Sequence, residues 1–312
     1  MLARIAAQPL NESTGTRHIC NREAANPGHS PYLNFARLLQ QQLNHPIGLV
    51  QTSLGGSPLQ AWNPEQPGAN LFENMVQCVA KAGGQVRGVL WYQGESDANG
   101  ENAVTYADRF INAVGAWRKA LHNPDLAVLT VQLNRVYAPA GDDGDRAWSQ
   151  VREAQRQVPK RLANIAVTPA FDLPLSDTIH NSPAGNMLLA ERLARAALGM
   201  VHGKPVDWQA PDLAAARSTH DGARIELTFQ PVTSRMDTID PTVNPFHIED
   251  ELGVVPIEKV VYPQDARVEL TLGRNIQGRA VVHGGYGVNP KTVPMDVERF
   301  IPILGFYGVT VT

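Results

Sequence analysis

The sequence predicts an α/β protein in which a doubly wound parallel sheet is followed by a small C-terminal antiparallel β domain. Three observations lead there. Between residue 46 and about residue 200, short apolar β-type runs alternate with segments of helical periodicity, the pattern of strands covered by helices on both faces. At "HGKPVDWQAPD", residues 202–212, proline and polar residues end the last helix. Beyond that point apolar residues recur at every second position, as in half-buried antiparallel strands. A chain of 312 residues also exceeds the usual size of one domain, so domains at 1–205 and 212–312 are expected.

Taken in order, Tyr32, Phe35, Ala36, Leu39 and Leu43 make the apolar stripe of a first helix, with Ser30 as its cap. The runs "PIGLVQT" (46–52), "VRGVLWYQ" (86–93), "LAVLTVQL" (126–133) and "NIAVTPAF" (164–171) read as successive parallel strands. Between the second and third lies a helix striped by Ala107, Phe110, Ile111, Val114, Trp117 and Leu121. "AGDDGDR", residues 140–146, reads as a solvated surface loop; its aspartate spacing faintly resembles a calcium loop but lacks the terminal glutamate. Ser182 followed by Pro183 starts the last helix. In the C-terminal part, Ala223, Ile225, Leu227 and Phe229 alternate with polar residues, as do Val268, Leu270 and Leu272. "HGGYG", residues 283–287, runs into "VNPKTVP" rather than into a helix, so it is a turn and not a phosphate cradle. Tyr262, Tyr286, Phe300 and Phe306 belong by default to the β core.

Composition narrows the partners. With 27 basic against 30 acidic residues there is no electrostatic footprint for nucleic acid, and small neutral substrates suit this balance better than polyanions. Two cysteines, Cys20 and Cys78, build neither a disulfide framework nor a zinc site. No run has the length and apolarity of a membrane helix, and "MLARIAAQPLNESTG" lacks a signal peptide's apolar segment. A secreted or periplasmic location would need a leader upstream of Met1; otherwise the expectation is cytoplasmic.

Ligands of open α/β sheets bind beyond the carboxyl ends of the strands, so the segments following each run matter most. In "DLPLSDTIH", Asp177 sits three residues before His180, and neither is needed as a helix cap. Asp177 can accept the imidazole Nδ1–H and leave Nε2 as a general base; Asp172 is a rival orienter, and a locally bonded loop histidine is the plain alternative. Gln93 and Glu95, in "QGESD", put an amide and a carboxylate at the same edge, where the amide N–H suits an oxyanion and the glutamate suits orientation of that amide or of a substrate hydroxyl. Gly55 and Gly56 allow close backbone approach to a ligand, and Trp62 offers an apolar or sugar-stacking surface.

Together "PIGLVQTSLGGSPLQAW", "VRGVLWYQGESD" and "DTIHNSPAGNMLLAERLARAAL" resemble the SGNH (GDSL-like) hydrolases, specifically the sialate O-acetylesterase and acetylxylan-esterase branch, with its flavodoxin-like sheet. The resemblance implies a metal-free and cofactor-free carbohydrate esterase that removes acetyl groups from sugar hydroxyls through an acyl-enzyme. Asp177 and His180 would be the acid and base of a Ser-His-Asp triad, a glycine of Gly55–Gly56 the backbone oxyanion donor, and Gln93 the side-chain donor. The implied partner is an acetylated sugar or oligosaccharide, with no nucleic acid or membrane; oligomeric state is not fixed by sequence.

The family's nucleophile lies in a G-Q-S-N-M block after the first strand, and the sequence contains no such block. Ser53 lies in the segment that resembles the oxyanion loop, Ser57 and Ser96 lie in turns, Ser13 has no strong strand before it and Ser30 is a cap. The expectation is that the nucleophile precedes Met1 in a longer natural protein. Without that central first strand, two neighbouring strands should carry unpaired backbone groups. The alternatives are a non-catalytic carbohydrate-binding relative, and a sugar-binding or assembly role for residues 212–312.

Overall fold

The computed structural model describes residues 29–138, 141–219 and 221–312; Ser13, Cys20 and the N-terminal stretch read above lie outside them. Helix α1 (Pro31–Leu43) starts at Ser30, whose hydroxyl accepts the Tyr32 N–H at 3.2 Å. There follow α2 (Asn70–Lys81), β1 (Gly88–Trp91), α3 (Gly100–Ala120), β2 (Ala127–Gln132), α4 (Gly141–Arg161), β3 (Ile165–Pro169) and α5 (Pro183–Ala196). The strands pair in parallel in the order β1-β2-β3. The central strand β2 is buried throughout. Because side chains alternate along it, Ala127, Leu129 and Val131 pack with residues of α1 and α5 on one face, while Val128 joins the α3 and α4 cluster on the other. This is the α/β class the sequence predicts, with helices on both faces.

Two local expectations are corrected. Residues 46–52 are not a strand: among the described residues they make no backbone ladder bonds, and β1 pairs with β2 alone. Their apolar pattern is nevertheless used, since Ile47 and Leu49 pack beside α1 and α5. Periodicity decides which side chains are buried, but a strand exists only where a neighbour accepts its backbone bonds. Likewise "AGDDGDR" is not a loop from residue 141 onward, where α4 begins. Asp142 and Asp143 occupy its first turn, where negative charge complements the exposed N–H groups and the helix dipole.

Beyond residue 212 all pairings are antiparallel. One sheet has the order β4 (Asp212–Ser218), β5 (Arg224–Gln230), β10 (Arg267–Leu272), β9 (Ile257–Val261). A second comprises β14 (Phe306–Thr310), β11 (Val281–Gly284), β7 (Phe246–Asp250) and the short β8 (Gly253–Val254). A third, small sheet joins β13 (Ile301–Pro302), β12 (Pro294–Asp296) and β6 (Met236–Thr238). Ile225, Leu227, Phe229, Val268 and Leu270 are fully buried between them, as their alternation requires. Phe306 joins that core, whereas Phe300 is exposed.

The α/β part and the β-rich part meet around one side chain. Arg152 of α4 is almost fully buried and donates to four carbonyls: Leu133 at 3.0 Å, Asn134 at 2.8 Å, Gly285 at 3.0 Å and Gly287 at 2.6 Å. The first two follow β2 and the last two lie in the "HGGYG" turn, so this turn binds a guanidinium. Among the described residues no carboxylate hydrogen-bonds the cation, and burial lowers its pKa to about 9 against the opposing effect of Tyr92 and Asp145. Beside it, Gln132 donates to the Gly305 carbonyl at 2.9 Å and accepts the Gly305 N–H at 2.8 Å. Gly287 is required by the approach: its φ is +81°, and a Cβ there would lie 2.7 Å from Asp145 Oδ1. Asp145 in turn accepts the Val288 N–H at 2.7 Å.

Arg152→Met should leave buried acceptors unsatisfied and destabilise the protein by roughly 3 kcal/mol or more, at about 1–3 kcal/mol for each stranded group. Arg152→Lys, which lacks the planar fork, should recover only part of this. Urea unfolding checks it; a loss below about 1 kcal/mol for the methionine variant would show that the clamp is dispensable.

Candidate active site

Asp177 and His180 stand in the loop between β3 and α5, beyond the carboxyl end of the sheet. The imidazole Nδ1 lies 2.8 Å from Asp177 Oδ2. The other carboxylate oxygen, Oδ1, accepts the backbone N–H groups of Ile179 at 2.8 Å and His180 at 2.7 Å. This explains the three-residue spacing: the aspartate folds its own loop with one oxygen and orients the histidine with the other. Ser182 caps α5, accepting the Gly185 N–H at 3.1 Å, so the loop ends where the Ser-Pro start predicts. Asp172 is no rival, since both its oxygens bind Arg192, at 2.6 and 2.7 Å. The His180 side chain is 45% exposed, and among the described residues nothing hydrogen-bonds its Nε2.

No serine hydroxyl among the described residues bonds that nitrogen either. Ser57 is buried, donating to the Leu54 carbonyl at 2.7 Å and accepting the Trp62 indole N–H at 3.0 Å. Ser96 donates to the Gly56 carbonyl at 2.9 Å. Ser53 is exposed, with no bond to the imidazole.

The glycine turn and the "QGESD" turn are held together by Asp97, a residue that motif reading passed over. It is almost fully buried; Oδ2 accepts the Leu59 N–H at 2.8 Å and the Gln93 amide at 2.6 Å, and Oδ1 pairs with Arg109 at 2.8 Å. Gln93 Nε2 donates also to the Ser57 carbonyl at 3.2 Å, while its Oε1 accepts the Tyr106 hydroxyl at 2.9 Å. Both amide hydrogens are therefore engaged, and the buried carboxylate of Asp97 fixes which end of the amide faces it. In this arrangement Gln93 braces the turn rather than offering a free N–H to an oxyanion. Gly94 lets the turn sit against α4: its φ is +145°, and a Cβ would meet Val151 at 2.9 Å and Gln155 at 3.1 Å. Gly55 and Gly56 form the facing turn. Trp62 is not a stacking surface; it is 4% exposed and packs edge-on to Trp91 at 5.5 Å.

Glu95 is brought within electrostatic reach of His180. Burial raises its carboxyl above the ordinary range, with backbone hydrogen bonds and the His180 charge acting against that rise. Around it stand Tyr32 and Tyr92, whose hydroxyls burial holds strongly in the protonated form, with the Glu95 charge acting in the same sense. Tyr92 also bonds the Asn181 side chain and the Asn134 backbone, and Asn134 Nδ2 bonds Asn181 Oδ1. The residue after His180 is thereby tied to the segment after β2. Asn181 and Asn134 lay in segments already singled out, yet nothing in their spacing marked them as partners. No group of three or more metal-ligating side chains occurs among the described residues.

The family model described as carbohydrate esterase, sialic acid-specific acetylesterase matches residues 4–199. The chain belongs to this family. A probable carbohydrate esterase of Arabidopsis thaliana is 31% identical over 201 residues, covering 62% of this chain and 70% of that protein. Human sialate O-acetylesterase is 26% identical over 207 residues, covering 54% of this chain and 38% of its own length. Among solved structures, a carbohydrate acetylesterase from Xanthomonas citri superposes with a TM-score of 0.74 at 25% identity, covering 88% of this chain and 64% of that one. The chain thus spans well under half of the human relative and just under two thirds of the Xanthomonas citri esterase. The Xanthomonas citri match extends past the family segment into the β-rich part, so similarity to this family of esterases is not confined to the parallel sheet.

Two outcomes test the site's construction. Asp97→Ala should cost roughly 3 kcal/mol or more, because it strands the Arg109 charge and the Leu59 and Gln93 donors, as urea unfolding will measure. Glu95 has the opposite linkage from a salt-bridged carboxylate. Its folded pKa exceeds the unfolded one, so between the two the folded state holds the extra proton and stability falls as pH rises. Glu95→Gln should remove that slope and gain stability relative to the parent towards neutral pH; an unchanged profile of stability against pH would count against this account.

Proposed function

We propose that this family member is a carbohydrate O-acetylesterase in which Asp177 and His180 form the acid–base arm of a serine-hydrolase mechanism. The observation that carries the reading is the 2.8 Å contact between His180 Nδ1 and Asp177, with Nε2 half-exposed and unbonded among the described residues. An aspartate on Nδ1 fixes the tautomer whose Nε2 accepts a proton, and it stabilises the imidazolium that results. As the nucleophilic oxygen bonds the acetyl carbon, its proton passes to Nε2. Collapse of the tetrahedral intermediate breaks the bond to the sugar oxygen, which takes that proton. Water then repeats the sequence on the acyl-enzyme and releases acetate.

The hydroxyl nucleophile is to be sought outside the described residues, since none of their serines bonds His180. The oxyanion donors are backbone N–H groups of the Gly55–Gly56 turn, which Ser96 and Asp97 hold against the "QGESD" turn. Gln93 acts as a positioning residue for that turn, and Glu95 stands at the edge of the site. The family match supports acetylated carbohydrate as substrate.

Hydrolysis of p-nitrophenyl acetate and of an acetylated sugar tests the reading. Turnover is expected, and His180→Ala should lower it at least about 1,000-fold, since loss of a triad base costs more than that. Turnover indifferent to His180 would overturn the assignment. Sugar binding without turnover would favour a non-catalytic relative.

A further inference from the structure

A cleft of about 590 Å³ opens where the loop after β2 faces the β-rich part, lined by Tyr137, Asp145, Tyr286, Asn289 and Lys291 among others. This volume is in the range of small-molecule sites. Its wall is tied directly to the candidate catalytic loop. The Tyr137 N–H donates to the carbonyl of Thr178, the residue after Asp177, at 2.7 Å, and the Val136 N–H donates to Val288 at 2.8 Å. Trp148 anchors the base of the same loop through its indole N–H on the Asn134 carbonyl at 2.9 Å.

On this braced backbone the Tyr137 ring is 70% exposed, although most large rings of the chain are buried. Lys291 Nζ lies 5.4 Å from its centroid. Opposite, Tyr286 is held by stacking on His247 at 4.8 Å, and Asp145 is committed to the Val288 N–H. The cleft therefore combines an exposed aromatic ring with the Lys291 ammonium over it, a second fixed ring and the polar side chain of Asn289. Aromatic faces contact the C–H-rich face of a pyranose, while amide and ammonium groups reach the hydroxyls at its edge.

We propose that this cleft is a glycan subsite, in which Tyr137 stacks on a pyranose ring next to the acetylated sugar. The proposal rests on the carbohydrate-esterase reading for what enters, but on the Thr178 tether and the exposed ring for where. It gives residues 286–291 a part in selecting long substrates over small esters. The same stacking serves a neutral or an acidic glycan, and Lys291 separates the two: its charge favours a carboxylate-bearing sugar and matters little to a neutral one.

Isothermal titration of the chain with partially acetylated xylotetraose and, separately, with 3′-sialyllactose tests this without requiring turnover. At least one probe should bind, and Tyr137→Ala, a change at an exposed position, should weaken it about 5-fold or more, as expected for loss of one stacking partner. Tyr137→Phe should bind like the parent. Lys291→Ala should weaken only the acidic probe, if that is the one bound. Because binding is read without turnover, failure of the esterase chemistry and failure of the subsite are read separately. Unaltered binding by Tyr137→Ala, or no binding of either probe, would overturn the proposal.

Discussion

A buried arginine without a carboxylate holds the two halves of this molecule in register. Arg152 gives up hydration and receives four carbonyl dipoles, two from the segment after β2 and two from the glycine-rich turn after β11. A carbonyl carries only a partial charge, so the guanidinium is solvated less well than in water, consistent with its depressed pKa. Geometry compensates, because the planar fork reaches all four oxygens only if both segments approach closely. Gly287 and the Gln132–Gly305 pair make that approach possible.

The consequence reaches the candidate site through hydrogen bonds from neighbouring residues of one segment. Asn134, whose carbonyl the arginine holds, bonds Asn181 beside His180; three residues on, Tyr137 bonds Thr178 within the same loop. On the other side, Asp97 binds the glycine turn to the "QGESD" turn with one carboxylate. The candidate site is thus framed by two buried polar hubs. Such outer braces set how accurately the groups that touch a substrate are held, and with them the strength of electrostatic stabilisation in a transition state.

What was legible in the sequence follows from this division. Parallel strands read clearly because β2 and β3 are buried on both faces, and the Ser182–Pro183 start because a cap is a local interaction. Asp177 and His180 were legible because their contact spans three residues of one loop. The strand expected at 46–52 failed for a nonlocal reason, as did the loop expected at 141–146: pairing partners and helix docking are not written in a segment's own periodicity. Asp97 and Arg152 were invisible for the same cause. Their bonds reach 38 and 135 residues along the chain, to Leu59 and Gly287, and no motif spacing encodes such distances.

Gln93 shows where resemblance and geometry diverge. A family likeness assigns it an oxyanion N–H, yet here both hydrogens are spent on Ser57 and Asp97, and Tyr106 holds its oxygen. Turning the amide towards a ligand would give up its bonds to Ser57, Asp97 and Tyr106, about 0.5–1.5 kcal/mol each, although Asp97 Oδ2 would keep the Leu59 N–H and the Tyr106 hydroxyl the Gln93 carbonyl. A single new hydrogen bond to an oxyanion has to exceed that sum before rotation is favourable. The same bonds that make Gln93 a good brace therefore hold its amide away from a ligand.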